Sequence, residues 1–315
     1  GKIICLPSST KFSMHGLFES GVREKFPKVS KNSCGYRIDQ VTNKSDSQKI
    51  IAGSEGTLGI ILSAKLKTFP IKRKITLSIL AYKTINQAVA DVVKIIGLKP
   101  SALEIVDHNI AKNIDVRLAR NTECLLFAEF DDNIRKNTYH LKNITHGKII
   151  KTFVKNHEIK KWWDFRNTAL SYSLRSINPK QSMPTIIEDA VVPVENLGLL
   201  VDIIKKISKK YRLRFVLYGH AGNGNLHVRP ILGHKNKKIM KKIASEYFDK
   251  IIGIGGSITG EHGDGFARSE FVRQQYGDDV YSVFKKIKNS FDPKNILNPG
   301  KIITHKTTVV KNLRM

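Results

Sequence analysis

The sequence predicts an α+β fold, an antiparallel sheet with helices layered on one face, entered through the closing part of another domain. Two observations point there. Strand-like and helix-like stretches alternate loosely along the chain, without the strict βαβ rhythm of a parallel doubly wound sheet. Two of the strands, Arg214–Tyr218 and Leu226–Ile231, are joined directly by a glycine-rich turn, which only antiparallel neighbours allow.

The elements follow in order. An apolar stretch from Ile50 to Leu62 is interrupted by Gly53-Ser54-Glu55-Gly56-Thr57-Leu58-Gly59. Ile60–Phe69 then has strand character and stops at Pro70, so a domain boundary is expected near 70–74. A β-rich run over Ile75–Tyr82 leads to an amphipathic helix from Thr84, a good N-cap, to Ile96, with Gly97 as its stop. Ala102–Asp107 runs into another helix-like segment, and Cys124–Phe130 is a strand closed by Asp131-Asp132-Asn133. Ile186–Pro193 is extended. Val194–Lys209 places Leu197, Leu200, Val201, Ile204 and Ile207 on one helical face, and His234–Ile252 is a basic amphipathic helix.

Composition narrows the function classes. With 41% hydrophobic residues in 315, the chain is long enough for about two domains. No apolar run approaches the roughly 20 residues of a membrane span, and no signal peptide is evident. The opening Gly1–Phe12 reads as the middle of a domain, so a fragment is expected. Cys5, Cys34 and Cys124 are odd in number and far apart, with no CxxC pair, so neither a disulfide framework nor a cysteine zinc site is indicated, and a reducing cytoplasm fits. The net charge of +27 admits peripheral contact with an anionic membrane. The basic residues are spread over helix faces without interleaved aromatics, so no specific nucleic-acid partner is expected.

Three glycine-rich motifs carry the chemistry. In Gly53–Gly59, three glycines free the backbone to approach a phosphate or ring edge; a tight turn explains them as well. In Gly219-His220-Ala221-Gly222-Asn223-Gly224-Asn225-Leu226-His227, pairing of the flanking strands brings His220 and His227 together at a hairpin mouth. Two imidazoles so held are half of a divalent-metal site, or simply cap the hairpin. Gly260-Glu261-His262-Gly263-Asp264-Gly265 adds a carboxylate and a third histidine. Of ten histidines, only His220, His227 and His262 sit in such multi-glycine loops. That coincidence favours a shared site, with Glu261 completing the metal set and His262 left as acid or base; a solvated turn is the plain alternative. Arg166, beside Trp162 and Trp163, suits a bidentate carboxylate or a surface stack on tryptophan.

At these residues the chain resembles the flavin-linked dehydrogenases of the vanillyl-alcohol-oxidase type, which include D-lactate, glycolate and D-2-hydroxyglutarate dehydrogenases. The resemblance is carried by Lys31-Asn32-Ser33-Cys34-Gly35-Tyr36, Gly53–Ile60, Gly219–His227, Gly260–Gly265 and Asp292-Pro-Lys-Asn-Ile-Leu-Asn-Pro-Gly-Lys301, all in the family's order. It implies that residues 1–72 are the C-terminal part of a PCMH-type FAD-binding domain. Residues 73–303 would form the ferredoxin-like, antiparallel-sheet C-terminal domain on the substrate side, with a basic tail over 304–315. Asn32, Ser33, Gly53, Ser54, Glu55, Gly56, Thr57, Gly59 and Ile60 would line FAD, and Asn298 would lie near the flavin. His220, His227 and Glu261 would ligate a divalent cation (zinc, iron or manganese), His262 would face flavin and substrate, and Arg166 would bind the substrate carboxylate.

The implied reaction is oxidation of a small 2-hydroxy acid of the D-lactate or glycolate type by hydride transfer to FAD. Electrons would leave to a quinone, an electron-transfer flavoprotein or an iron–sulfur subunit. Ile187-Glu188-Asp189 and His227-Val228-Arg229-Pro230 look most like the branch fused to an iron–sulfur domain. The substrate-binding lysine of the hydroxyglutarate branch is not evident near Ile187. Two other classes compete with this reading: a metal-dependent hydrolase using the same His/His/Glu set, and a non-catalytic basic binding module.

Overall fold

The structure, a computed structural model, describes residues 21–43, 46–72, 74–114, 116, 118–175, 177–233 and 237–304. The opening segment, Cys5 and the basic tail beyond 304 lie outside the described residues. In chain order the elements are α1 (Gln48–Ile51), β1 (Thr76–Tyr82), α2 (Ile85–Ile96), β2 (Ala102–Asp107), α3 (His108–Ala111), β3 (Cys124–Phe130), α4 (Ile134–Ile144), β4 (Lys148–Phe153), α5 (Asn156–Asn167), α6 (Ala169–Arg175), α7 (Leu197–Tyr211), β5 (Arg214–His220), β6 (Asn225–Ile231), α8 (Lys237–Gly253), α9 (Gly265–Arg268) and α10 (Val272–Phe291).

The chain divides into two compact units, Lys67–Asn236 and the pair of segments Gly1–Leu66 and Lys237–Arg314. By contacts, residues 237–303 group with the N-terminal segment.

The unit Lys67–Asn236 holds one six-stranded sheet in the order β4-β1-β3-β2-β5-β6, antiparallel throughout. Its first four strands, with α2 and α4 as crossovers, have the ferredoxin-like arrangement; the β5–β6 hairpin extends that sheet beside β2. Helices cover both faces rather than the single face expected. β1 and β3 are buried at both alternating sets of positions, with Leu80, Tyr82, Leu126 and Phe130 on one face and Leu77, Ile79, Leu125 and Phe127 on the other, so each face needs a cover. Leu77, Ile79, Leu125, Phe127, Val106 and Val216 pack with Ile159, Trp162 and Phe165 of α5 on one face. The Trp162 ring meets Phe127 at 5.8 Å and Phe153 at 5.4 Å between centroids. Helix α2 lies on β1 and β3 and against α4 and α7, burying Ala88, Val89, Val92 and Ile95.

Local signals hold where they were strongest. Thr84 accepts the N–H of Gln87 as an N-cap, and α2 ends at Gly97 as its spacing requires. Helix α7 begins after a 3₁₀ turn at Val194–Asn196 and stops where Arg212 turns left-handed at φ 52°. The basic helix expected from His234 runs as Lys237–Gly253. Ile60–Phe69, expected to be a strand, is not one: it has no ladder partner among the described residues, and Ile60, Leu62, Leu66 and Phe69 stand exposed. A strand exists only where a neighbour accepts its hydrogen bonds.

The other unit packs α8 and α10 with the segment 21–58. Its core contains Tyr36, Ile38, Ile50, Tyr247, Phe248, Tyr276 and Phe284, with Phe284 edge-on to Tyr36 at 5.5 Å.

Candidate functional site

In the sheet unit, period 2 and register put a row of polar groups on the face that α5 covers. β2 pairs with β5 as Ile105↔Gly219 and Val106↔Tyr218, which continues to Glu104 opposite His220. β5 pairs with β6 as Tyr218↔His227 and Val216↔Arg229. Glu104, Tyr218, His220, His227 and Arg229 therefore share one face. The turn between β5 and β6 is a 3₁₀ segment, Ala221–Asn223, closed by Gly224 at φ 68°. A Cβ at Gly224 would lie 2.0 Å from the carbonyl oxygen of Val192, so only glycine fits there.

The two hairpin histidines meet as expected, with ring centroids 5.3 Å apart and planes at 81°. Each has its Nδ1 committed. His220 Nδ1 lies 2.8 Å from Glu104 Oε1, and His227 Nδ1 lies 3.2 Å from the Glu188 carbonyl oxygen. Both acceptors lack a proton, so each Nδ1–H must donate and each lone pair resides on Nε2. Histidines that bind a cation commonly hold their Nδ1–H in this way, and so do histidines that cap a hairpin.

Arg166 is not a stack on tryptophan. Its Nε donates to Glu104 Oε2 at 2.9 Å and its Nη2 donates to the same oxygen. Burial would raise the Glu104 carboxyl, but the His220 hydrogen bond and the Arg166 charge outweigh it and hold the group below the usual carboxylate range. Beside them Arg229 Nη2 donates to Glu188 Oε2 at 3.1 Å in a second buried pair. Sequence reasoning passed over Glu104, although a carboxylate between Leu103 and Ile105 in a buried strand is itself a signal.

In the other unit, the side chains expected to line FAD are largely turned inward. Asn32 donates to Tyr276 Oη at 3.0 Å while its Oδ1 accepts from the Cys34 N–H and the Ser257 hydroxyl. Ser33 Oγ donates to the Gly260 carbonyl at 2.9 Å, and Thr57 meets Tyr36 Oη at 2.7 Å. Ser54 is buried and Ile60 exposed. What the 53–59 loop presents outward is backbone: Gly53 and Gly56 are exposed at φ 77° and 70°, and Cβ atoms built there and at Gly59 would meet nothing within 4 Å. A flat ring or a phosphate needs that kind of close backbone approach, so the loop fits a flavin nucleotide through its main chain.

Glu55 ties this loop to the others. Its carboxylate accepts the N–H groups of Asp264 and Gly265, and its carbonyl accepts from Asn298 Nδ2 at 2.6 Å. Lys288, buried, donates to the carbonyls of Thr57 and Leu297 and to Asp292 Oδ2. Three of the five motifs that carry the resemblance, Gly53–Ile60, Gly260–Gly265 and Asp292–Lys301, are thus one hydrogen-bonded assembly. Glu261 pairs with Lys31 Nζ at 2.7 Å and lies 3.6 Å from His262 Nε2; His262 is exposed. Among the described residues no helix is long and apolar enough to cross a membrane.

The family described as FAD linked oxidases, C-terminal domain, matches residues 71–302. Glycolate oxidase subunit GlcD of Bacillus subtilis (strain 168) is 31% identical over 87% of this chain and 59% of its own length. The mitochondrial D-lactate dehydrogenase [cytochrome] of Kluyveromyces lactis is 28% identical over 86% of this chain and 48% of its own length. The chain thus spans about half the length of these relatives. An alkyldihydroxyacetonephosphate synthase structure shares the fold, with a TM-score of 0.53 at 17% identity over 84% of this chain and 51% of that one. The matched span, which contains the ferredoxin-like sheet, shows that the chain belongs to the family described as FAD linked oxidases, C-terminal domain.

Proposed function

We propose that this chain carries the substrate side, and part of the flavin side, of a dehydrogenase that oxidises a small 2-hydroxy acid of the D-lactate or glycolate type to the 2-oxo acid. The observation that carries the reading is the His220–His227 pair with both Nδ1 atoms committed to acceptors. When bound, FAD supplies the hydride acceptor and a divalent cation (zinc, iron or manganese) supplies a Lewis acid for the 2-hydroxyl.

The chain's own residues have these roles in the proposal. His220 and His227 offer Nε2 to the cation and Glu261 completes the set. The Arg166 guanidinium, anchored on Glu104 through Nε and Nη2, holds the substrate carboxylate through Nη1. His262 takes the hydroxyl proton as C2 loses its hydride. Backbone of the 53–59 loop, with Asn298 beside it, supports the flavin. Electrons then pass to a separate acceptor, a quinone, an electron-transfer flavoprotein, a cytochrome or an iron–sulfur subunit, at a cytoplasmic or peripheral membrane location.

Anaerobic stopped flow tests the reading on the chain purified together with any native polypeptide that completes its flavin domain. D-lactate or glycolate should bleach the flavin absorbance, and His220→Ala and His262→Ala should each slow bleaching by at least about 100-fold. A colourless, metal-free preparation, or full bleaching in both variants, would overturn it.

A further inference from the structure

We propose that Glu104 is a positioning residue for this site: one buried carboxylate that fixes the tautomer of His220 with one oxygen and anchors the Arg166 fork with the other. The inference rests on the roles given above to His220 and Arg166, and goes beyond them by naming the group that sets both.

The strand explains why the carboxylate is there at all. β2 reads Ala-Leu-Glu-Ile-Val-Asp, with Leu103, Ile105 and Val106 all buried. Glu104 itself is 8% exposed. An ionised group in such a place persists only if both oxygens are satisfied. Register supplies one partner, since the β2–β5 ladder runs on to Glu104 opposite His220. Helix α5 supplies the other, because Arg166 sits one turn beyond Trp162 on the face that α5 buries against the sheet.

The division of labour between the oxygens follows from donor chemistry. Oε1 takes the His220 Nδ1–H at 2.8 Å, and Oε2 takes both Arg166 donors. Arg166 Nη2 also lies 3.5 Å from His220 Nδ1, too far to compete with the carboxylate at 2.8 Å. An imidazole in water favours the opposite tautomer, with its proton on Nε2. Glu104 reverses that preference and places the lone pair where a cation is to be held. Among the described residues Arg166 Nη1 makes no hydrogen bond, so the fork is anchored at one edge and presents the other to an anion. One carboxylate thereby orients two groups of opposite task, a Lewis-base ligand and a carboxylate clamp.

A glutamine cannot replace it. If its amide oxygen faces His220, its NH₂ faces the Arg166 donors; if the amide flips, the NH₂ donates to Nδ1 and forces the proton onto Nε2. Glu104→Gln is therefore the informative variant, and Glu104→Asp, which keeps the charge with shorter reach, is the second.

The direct readout is the tautomer, measured by long-range ¹H–¹⁵N correlation on histidine-labelled protein near pH 8 without metal, with His220 assigned by His220→Ala. Wild type should show the Nδ1–H form and Glu104→Gln the Nε2–H form. The second readout is Zn²⁺ affinity by competition with a chromogenic chelator. Glu104→Gln should bind about 10- to 100-fold more weakly and should add no further loss in the background of His220→Ala. A wild-type His220 in the Nε2–H form overturns the inference even if Glu104→Gln does not fold. So does a Glu104→Gln protein with unchanged tautomer and zinc affinity. A wild type with the Nδ1–H form but no zinc binding would instead overturn the metal reading and leave the hold of Glu104 on His220 standing.

Discussion

The carboxylate of Glu55 accepts the backbone N–H of Asp264 at 2.5 Å and that of Gly265 at 2.9 Å, joining loops 209 residues apart. Glu55 itself sits at φ 53°, in the left-handed region, and its own carbonyl accepts from Asn298. The side chain expected to touch the flavin is thus a strut between the loop that would cradle the flavin and the loop that bears His262. Removing it leaves two inward N–H groups without an acceptor. Glu55→Ala should cost on the order of 2 kcal/mol, since hydrogen bonds to charged groups contribute roughly 1.5–3 kcal/mol each before solvent competes. The check is the urea midpoint of that unit's transition, with Glu55→Gln expected to lose less. An Ala variant as stable as wild type would remove the strut.

Asp264 gives a pH dependence with a defined sign. Burial, then the nearby Glu55 charge, push its carboxyl up to about 7, while the Gly35 N–H at 2.8 Å pulls the other way. A carboxyl raised in the folded state binds its proton more tightly there than in the unfolded chain. Its contribution to stability is therefore fully present below about pH 4, the ordinary carboxylate range, and is lost as pH rises through about 7. Asp264→Asn keeps an oxygen for the Gly35 N–H and cannot ionise. The variant should gain stability relative to wild type between pH 4 and pH 8, read as melting temperature against pH. A constant difference across that range would contradict the assignment.

Lys31 and Glu261 make a third test. Their 2.7 Å ion pair occupies one carboxylate oxygen of the proposed ligand, and both side chains are partly exposed, so the pair itself adds little stability. If Glu261 serves a cation, Lys31 competes with it. Lys31→Met should tighten Mn²⁺ or Zn²⁺ binding several-fold with little change in melting temperature, measured by titration calorimetry at fixed pH. Weaker binding in Lys31→Met would show that Lys31 helps hold the ligand in place rather than opposing it.

Much of this was legible because the relevant signals are local or periodic. The hairpin that joins His220 to His227 follows from two β-rich runs around a glycine turn, and the Thr84 cap and Gly97 stop from the helix rules they obey. The illegible parts depend on what a strand meets across space. β1 carries Thr76 and Ser78 on one face, a half-polar pattern that reads as one-sided although both residues are buried. Ile60–Phe69 has strand composition but no ladder partner among the described residues. Asn32, Ser33, Thr57 and Glu55 stand out in the motifs. Their side chains, however, spend their hydrogen bonds on Tyr276, Gly260, Tyr36 and the backbone at 264–265, a use that motif spacing cannot distinguish from ligand contact.

Gly224 separates backbone necessity from chemistry at the hairpin. Its φ of 68° costs an L-residue roughly 1 kcal/mol or more, and a Cβ would stand 2.0 Å from the Val192 carbonyl oxygen. Gly224 is also bound there, since the Val192 N–H donates to its carbonyl at 3.0 Å. The clash is with backbone on a buried segment, so neither partner can step aside cheaply. Gly224→Ala should therefore force the 221–224 turn away from Val192 and widen the gap between His220 and His227, whose positions the turn sets. The expected result is a loss of several kcal/mol together with a loss of zinc binding as large as that of His220→Ala. A Gly224→Ala protein that is destabilised yet binds zinc like wild type would show that β-ladder register alone, without this turn, holds the two imidazoles together.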